Sequence, residues 1–478
     1  MTSSSATRLA RMIRARVVSP VEVVEGYLRR IDELNPRLNA IVAVAPDVLE
    51  RAREAEEQVM RGEATGLLHG VPLTIKDTIE TEGLCTTSGS RVRASYVAAE
   101  DAPAVARLRA AGAILLGKTN VSEMALTYES DNPVFGRTNN PHDLRLTAGG
   151  SSGGEAAAIS SCLSAAGLGS DLSGSIRIPA HFCGISGLRP TTGRVPCAGH
   201  FPPSTGPYSL GATIGPMARS IEDLSLILSV IAGYNAPEFV SAPLESNASL
   251  TGRLSLKGWR VAWYTDDRVS PVTEETRRAV RAAVGALEEA GLVANESLPP
   301  GISRGPALWL ALFSRAILGH LSEMYGGREE DAGAFARFLL SSLTAGPPPA
   351  MDEFVKAWAE RDRLRAELVE WMKETPLVVA PVGASHAFEH GARQLSVDGQ
   401  SVSVFRAFGY AQTFNVYGLP AVCVPAGRTP EGLPVGVQII GRPFQEEAVL
   451  AAALIVEEAL GGWRMPPRAL SPVGHNPL

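Results

Sequence analysis

This chain of 478 residues is poor in several features that would place a protein at once. Its five cysteines, Cys85, Cys162, Cys183, Cys197 and Cys423, are odd in number and scattered, and no Cys-x-x-Cys pair occurs. That usage fits reduced thiols in a cytoplasmic protein better than a disulfide framework. No run of lysine or arginine is present and the formal net charge is −6, which speaks against a nucleic-acid partner. No apolar stretch reaches the roughly 18 residues that a spanning helix needs, so no integral membrane segment is expected. The start, Met1-Thr-Ser-Ser-Ser-Ala6, has neither apolar core nor cleavage site, so no secretory signal is expected. Internal repeats and a clear linker are also lacking. The length would allow two or three domains, but without a linker a single domain over 1–478 is expected.

What is present is an alternation of amphipathic helices and short apolar strands. Ser19-Pro20-Val21-Glu22 is a helix start, with cap, first-turn proline and an acid three residues after the cap. Apolar residues then recur at helical spacing until Asn35-Pro36, where the helix is expected to end. Strands are expected at 39–44, 68–76, 113–116, 258–264, 292–294, 377–380, 421–424 and 435–440. Helices are expected at 101–111, 220–232, 273–290 and 444–460, and the region 303–375 reads as helical, interrupted at Pro347-Pro-Pro349. This order points to an α/β fold with a largely parallel sheet.

The densest punctuation lies between Ala148 and Thr191. Gly149, Gly150, Gly153 and Gly154 surround Ser151 and Ser152, and Gly169-Ser-Asp-Leu-Ser-Gly-Ser-Ile-Arg-Ile-Pro179 follows. Between them, 156–168 reads as a buried helix of small residues. Serines in tight glycine turns can be ringed by backbone N–H groups, which suits nucleophilic chemistry. Upstream, Lys76 closes an apolar strand, where an ammonium group is out of place unless paired or neutral. A surface lysine paired with Asp77 is the plainer reading of that residue alone. Two further patterns mislead. Gly112-Ala-Ile-Leu-Leu-Gly-Lys-Thr119 spells a phosphate loop, but a helix precedes it and its interior suits a sheet, which argues against nucleotide binding. His386-Ala-Phe-Glu-His390 spells an inverted zinc-protease pattern, but it sits between Gly383 and Gly391, where a loop at a pocket rim is expected instead.

Taken together, these segments closely resemble the amidase signature family. The resemblance runs through Gly70–Asp77, Gly117–Asn120, Asn139–Pro141, Ala148–Pro190, Gly215–Met217, Gly418–Ala421 and Gly432–Gly441, in the family's order. It implies a large twisted mixed β-sheet wrapped by helices, with a catalytic core over about 65–235 and 410–460 and a variable substrate-cavity region over about 300–375. It implies a Ser-Ser-Lys unit of Lys76, Ser151 (behind the family's cis peptide bond) and the nucleophile Ser175. Leu172, Ser173, Gly174 and Ser175 become the oxyanion hole, with Ser173 where the family often has glycine. Met124, Gly149, Gly150, Phe414 and Tyr417 are the expected substrate-binding residues.

The chemistry agrees. A serine needs a base, and a lysine neutralised by burial can serve. Asp171 and Arg177 are expected to hold the loop, and His181 to pack beside it. No metal or organic cofactor is required, and the resemblance leaves room for a homodimer. The expected reaction is cleavage of an amide C–N bond through an acyl-enzyme. The substrate is expected to be an apolar or aromatic small-molecule amide, given Trp309, Phe313, Phe335, Phe338 and Leu339, few acids nearby, and the aromatic 410–417 loop. His200-Phe-Pro also looks similar to fatty-acid-amide-hydrolase-like members. The glutamine-hydrolysing subunit of a tRNA-dependent amidotransferase is the alternative. Phe408, with no acid, stands near the place where that group holds the glutamine amine.

Overall fold

Short runs of Val, Ile, Leu, Ala and Gly form the strands, and in a computed structural model most of them are buried on both faces. The structure describes residues 1–63, 66–238, 240–242, 254–342 and 351–467. The strands are β1 (Ile41–Val44), β2 (Pro72–Lys76), β3 (Ile114–Thr119), β4 (Ala166–Asp171), β5 (Ser186–Arg189), β6 (Thr213–Ala218) and β7 (Arg260–Trp263). They continue with β8 (Val293–Glu296), β9 (Leu377–Pro381), the hairpin β10 (Gln394–Val397) and β11 (Gln400–Ser403), β12 (Ala421–Arg428) and β13 (Pro434–Gly441). Eleven of them form one sheet in the order β1-β3-β2-β4-β6-β5-β12-β13-β9-β7-β8.

The sheet is mixed rather than largely parallel. β2 runs parallel to β3 and β4, and β7 to β8 and β9. Between these groups β6, β5, β12 and β13 pair antiparallel. The expectation failed because β5 and β6 carry no alternation: both their faces are covered, so polarity gives no period of two. Side chains do alternate between two cores. Val379, Val422, Val437 and Ile439 face one, whereas Val378, Ala421, Cys423 and Ile440 face the other.

Two further expectations change, and the sheet reading of Gly112–Thr119 holds. The small-residue stretch 156–168 is not one helix. The helix Gly153–Ser160 ends there and β4 begins at Ala166, because Gly167 lets the strand lie against β2, where a Cβ would meet the Thr74 carbonyl oxygen at 2.4 Å. The phosphate-loop spelling is β3 itself, a buried strand whose Lys118 donates to the Ile79 carbonyl and to Thr81 and Thr86. No loop is left there to cradle a phosphate, so nucleotide binding through Gly112–Thr119 is withdrawn. The first long helix passes Pro36 and runs Pro20–Leu38, ending at Asn39 in the left-handed conformation with φ 51°. Pro347-Pro-Pro349 lies outside the described residues. The surrounding region forms the helices Gly305–Tyr325, Ala334–Ser342 and Met351–Trp371. No helix among the described residues is long and apolar enough to cross a membrane.

Asn35 joins the first long helix to β1. Its carbonyl oxygen accepts from the N–H groups of Ala40 and Ile41, both at 2.9 Å, and its amide donates to the Ile41 carbonyl at 2.8 Å. Asn35→Ala should destabilise the protein by about 1–3 kcal/mol in urea unfolding, since those groups lose their partners. An unchanged midpoint would show that water replaces the amide without cost.

Candidate active site

Lys76 is the last residue of β2, the strand between β3 and β4, so its side chain starts inside the sheet. It is fully buried, and its Nζ lies 2.7 Å from Ser151 Oγ, 3.0 Å from Ser170 Oγ and 3.4 Å from the Ser170 carbonyl oxygen. It does not pair with Asp77, whose carboxylate accepts from the Thr87 hydroxyl at 2.5 Å and from the Thr87 N–H at 3.2 Å. Burial pulls the Lys76 amine down to about 7, against the opposing charges of Asp171 and Glu155. Glu155 is itself pushed up to about 7 by burial, although Thr74 and Thr119 donate to it. A neutral amine is therefore accessible near neutral pH.

Ser151 follows a cis Gly150–Ser151 peptide bond and precedes the helix Gly153–Ser160. Gly150 is a packing position, since a Cβ there would stand 2.5 Å from the Thr127 carbonyl oxygen. The Gly149 Cβ would likewise meet Pro179 Cα at 2.8 Å.

The loop carrying Ser175 is organised by Asp171. Its carboxylate accepts from the N–H groups of Gly174 (2.8 Å) and Ile176 (3.1 Å), from Arg177 (3.0 Å) and from the Asn415 amide (2.9 Å). Burial alone would raise this acid, but the Arg177 guanidinium outweighs it and holds the carboxyl well below the usual range. Arg177 also donates to Gln438 Oε1 at 2.7 Å and Asn415 Oδ1 at 2.6 Å. The Gly174 N–H is thus turned away from any oxyanion, which corrects the four-donor expectation. Among the described residues, the N–H groups of Leu172, Ser173 and Ser175 have no hydrogen-bond partner. Ser173 is held by its hydroxyl, 2.6 Å from the Tyr128 hydroxyl, which also accepts from Gln412 Nε2 at 2.8 Å. Ser175 and Ser151 line the same cavity, and no hydrogen bond joins their side chains.

The amidase family model matches residues 22–450. The chain belongs to the amidase family. It is 34% identical to the A-subunit of the glutamyl-tRNA(Gln) amidotransferase of Carboxydothermus hydrogenoformans, with 95% of this chain and 96% of that one covered. It is 32% identical to human fatty-acid amide hydrolase 2, with 97% of this chain and 90% of that one covered. The crystal structure of a bacterial aryl acylamidase of the amidase signature family superposes with a TM-score of 0.86 at 25% identity, covering 95% of this chain and 96% of that one. The protein is an amide-cleaving enzyme with the fold of its family.

The amidase encloses a cavity of about 810 Å³ beside Ser175. Trp309, Ile317, Leu321, Phe335, Phe338 and Phe405 supply an apolar wall, and Met124 also lines it. Gly149, Gly150, Phe414 and Tyr417 do not reach it. Phe414 and Tyr417 are buried behind the loop, where the Tyr417 hydroxyl donates to the Gly301 carbonyl at 2.7 Å. Apolar periodicity cannot distinguish such packing aromatics from lining ones. As expected, among the described residues no acid of the variable region or of the 410–417 loop lines the amidase cavity; Glu123, Glu129 and Asp131 reach it from a segment far away in sequence. Glu123 is engaged by the Tyr325 hydroxyl at 2.7 Å and the Gly333 N–H at 2.9 Å. His386–His390 is loop, its His390 Nδ1 3.6 Å from Glu129, and Gly391 to Arg393 line the cavity. His181 packs as expected, accepting from the Gly436 N–H at 2.6 Å. Ser170, His200, Tyr128 and Phe405 are site residues that the sequence reading did not assign.

Asp171→Asn in the amidase removes the charge that Arg177 faces while both side chains stay fully buried. The variant should lose about 3–5 kcal/mol of unfolding free energy, as when one partner of a buried ion pair is removed. A loss below about 1 kcal/mol in urea titration would mean that Asn415 and Gln438 satisfy Arg177 alone.

Proposed function

We propose that the amidase cleaves its C–N bond with Ser175 as nucleophile, Ser151 as proton relay and neutral Lys76 as base. The observation that carries this reading is a buried amine 2.7 Å from Ser151, which lines the same cavity as Ser175. Lys76 takes the Ser151 proton as Ser151 takes that of Ser175, and Ser175 Oγ bonds to the carbonyl carbon. The developing oxyanion is received by N–H groups among Leu172, Ser173 and Ser175, each donor being worth roughly 3–4 kcal/mol in comparable sites. The C–N bond then breaks, the proton returns to the departing amine or ammonia, and water releases the acid by the reverse relay.

The aromatic and aliphatic wall supports an apolar or aromatic amide as substrate. Each further buried methylene is worth about 0.8 kcal/mol, roughly fourfold in kcat/KM. Glu129 and Asp131 favour a second reading, a glutamine amide whose amine meets a carboxylate. The likeness to one component of a glutamyl-tRNA(Gln) amidotransferase supports that reading too.

Ser175→Ala should abolish both turnover and labelling by a serine-directed phosphonate; labelling at another serine would overturn the nucleophile. Lys76→Ala should lower kcat by a factor of at least about 10². The wild-type rate should climb as pH rises through about 7, because Lys76 acts only after losing its proton. A profile flat across that range would remove Lys76 as base. In a series of linear amides from acetyl to decanoyl, kcat/KM should increase with length, whereas a flat series with a preference for glutamine would establish the second reading.

A further inference from the structure

Beside the proposed triad, a second set of hydrogen bonds reaches Lys76 through Ser170. His200 Nδ1 lies 2.8 Å from the Pro202 carbonyl oxygen. A carbonyl can only accept, so Nδ1 carries the ring proton and Nε2 presents a lone pair. Nε2 lies 2.8 Å from Ser170 Oγ, so the one hydroxyl proton of Ser170 is donated to the ring. Ser170 Oγ is then left as an acceptor for a Lys76 N–H at 3.0 Å, and the Ser170 carbonyl accepts a second at 3.4 Å. A neutral amine has two protons and one lone pair. With both protons so placed, the lone pair faces the remaining neighbour, Ser151 Oγ at 2.7 Å.

We infer that His200 is a positioning residue, acting through the Ser170 hydroxyl to keep the Lys76 lone pair on Ser151. This rests on the reading of Lys76 as the base. Without an acceptor at position 200, the Ser170 hydroxyl is free to rotate and donate to that lone pair, in competition with Ser151. The ring suits the task because it stays neutral: burial holds it down at about 4, and the nearby Lys76 charge acts in the same direction. The other charged groups that bear on Lys76 are Asp171, engaged by Arg177, and Glu155, engaged by Thr74 and Thr119. Neither touches His200, so a substitution there leaves both in place.

The test compares wild type with His200→Phe, His200→Gln, Ser170→Ala, Ser170→Thr and the His200→Phe/Ser170→Ala pair. It measures kcat and KM on one amide, and the rate of phosphonate labelling of Ser175, from about pH 5 to pH 9. His200→Phe should lower kcat and labelling together by about tenfold or more, with KM within about twofold, because what is lost is the population of correctly directed base. His200→Gln, whose Oε1 can accept the Ser170 proton, should recover most of that rate across the profile. The paired variant should be no slower than Ser170→Ala alone, since His200 acts through that hydroxyl. Additive losses, an effect on KM alone, or His200→Gln no better than His200→Phe would each overturn the inference. Should His200→Phe fail to fold, Ser170→Thr against Ser170→Ala decides: recovery by the threonine hydroxyl supports the inference, and equal rates overturn it. Lys76→Ala separates the two levels. If it stays active, the base assignment falls; if it is inactive while His200→Phe runs at the wild-type rate, only the inference falls.

Discussion

An amine has been placed where water cannot reach it, and much of the molecule follows from that. Lys76 ends a strand whose two neighbours are also buried, so its charged form has no solvent to fall back on. The carboxylates that could have stabilised an ammonium are occupied elsewhere, Asp171 by Arg177 and Glu155 by two threonines. What surrounds the nitrogen is instead a shell of serine oxygens, partners that an uncharged amine can satisfy. The sheet thus has a chemical role: it supplies the low dielectric that turns an ordinary lysine into a group able to exchange protons near neutrality.

A second buried charge does the opposite. The Asp171 carboxylate is kept ionised by Arg177, with Asn415 donating to it and Gln438 accepting from Arg177, both from more than two hundred residues downstream. This cluster ties the Ser175 loop to the helix Gly409–Val416 and to β13, so that C-terminal segments hold a loop more than two hundred residues upstream. Two of the four backbone N–H groups from Ser173 to Ile176 point into the Asp171 carboxylate, so the loop's curvature is set from inside. The remaining two, of Ser173 and Ser175, have no hydrogen-bond partner among the described residues.

The catalytic candidates were legible because their residue types are improbable for their surroundings. A lysine closing Leu-Thr-Ile and serines crowded by glycines stand out against ordinary packing. Most helices were legible from caps and period, with Ser19, Ser220 and Thr273 each accepting from the first-turn backbone. β5 and β6 were not, because Ser-Gly-Leu-Arg and Thr-Ile-Gly-Pro-Met-Ala are broken by glycine, proline and polar residues and offer no continuous apolar run. The cavity wall was only half legible. Trp309 and Phe338 line it, but Phe414 and Tyr417, alike in composition and spacing, pack behind it. Ser170 and Tyr128 escaped notice, and His200 was given no role beyond a likeness, because each is an ordinary residue until its partners are known, and those partners are non-local hydrogen bonds.

The indole of Trp309 donates to the Leu172 carbonyl at 2.7 Å. One side chain therefore serves both as wall and as strut: its ring bounds the cavity while its nitrogen grips the peptide that leads into the Ser175 loop. Changing the helix Gly305–Tyr325 to admit a different amide is for this reason not a modular exchange. A replacement lacking an indole at 309 would alter the shape of the pocket and slacken the Ser175 loop in the same stroke, so that the wall and the loop cannot be changed independently.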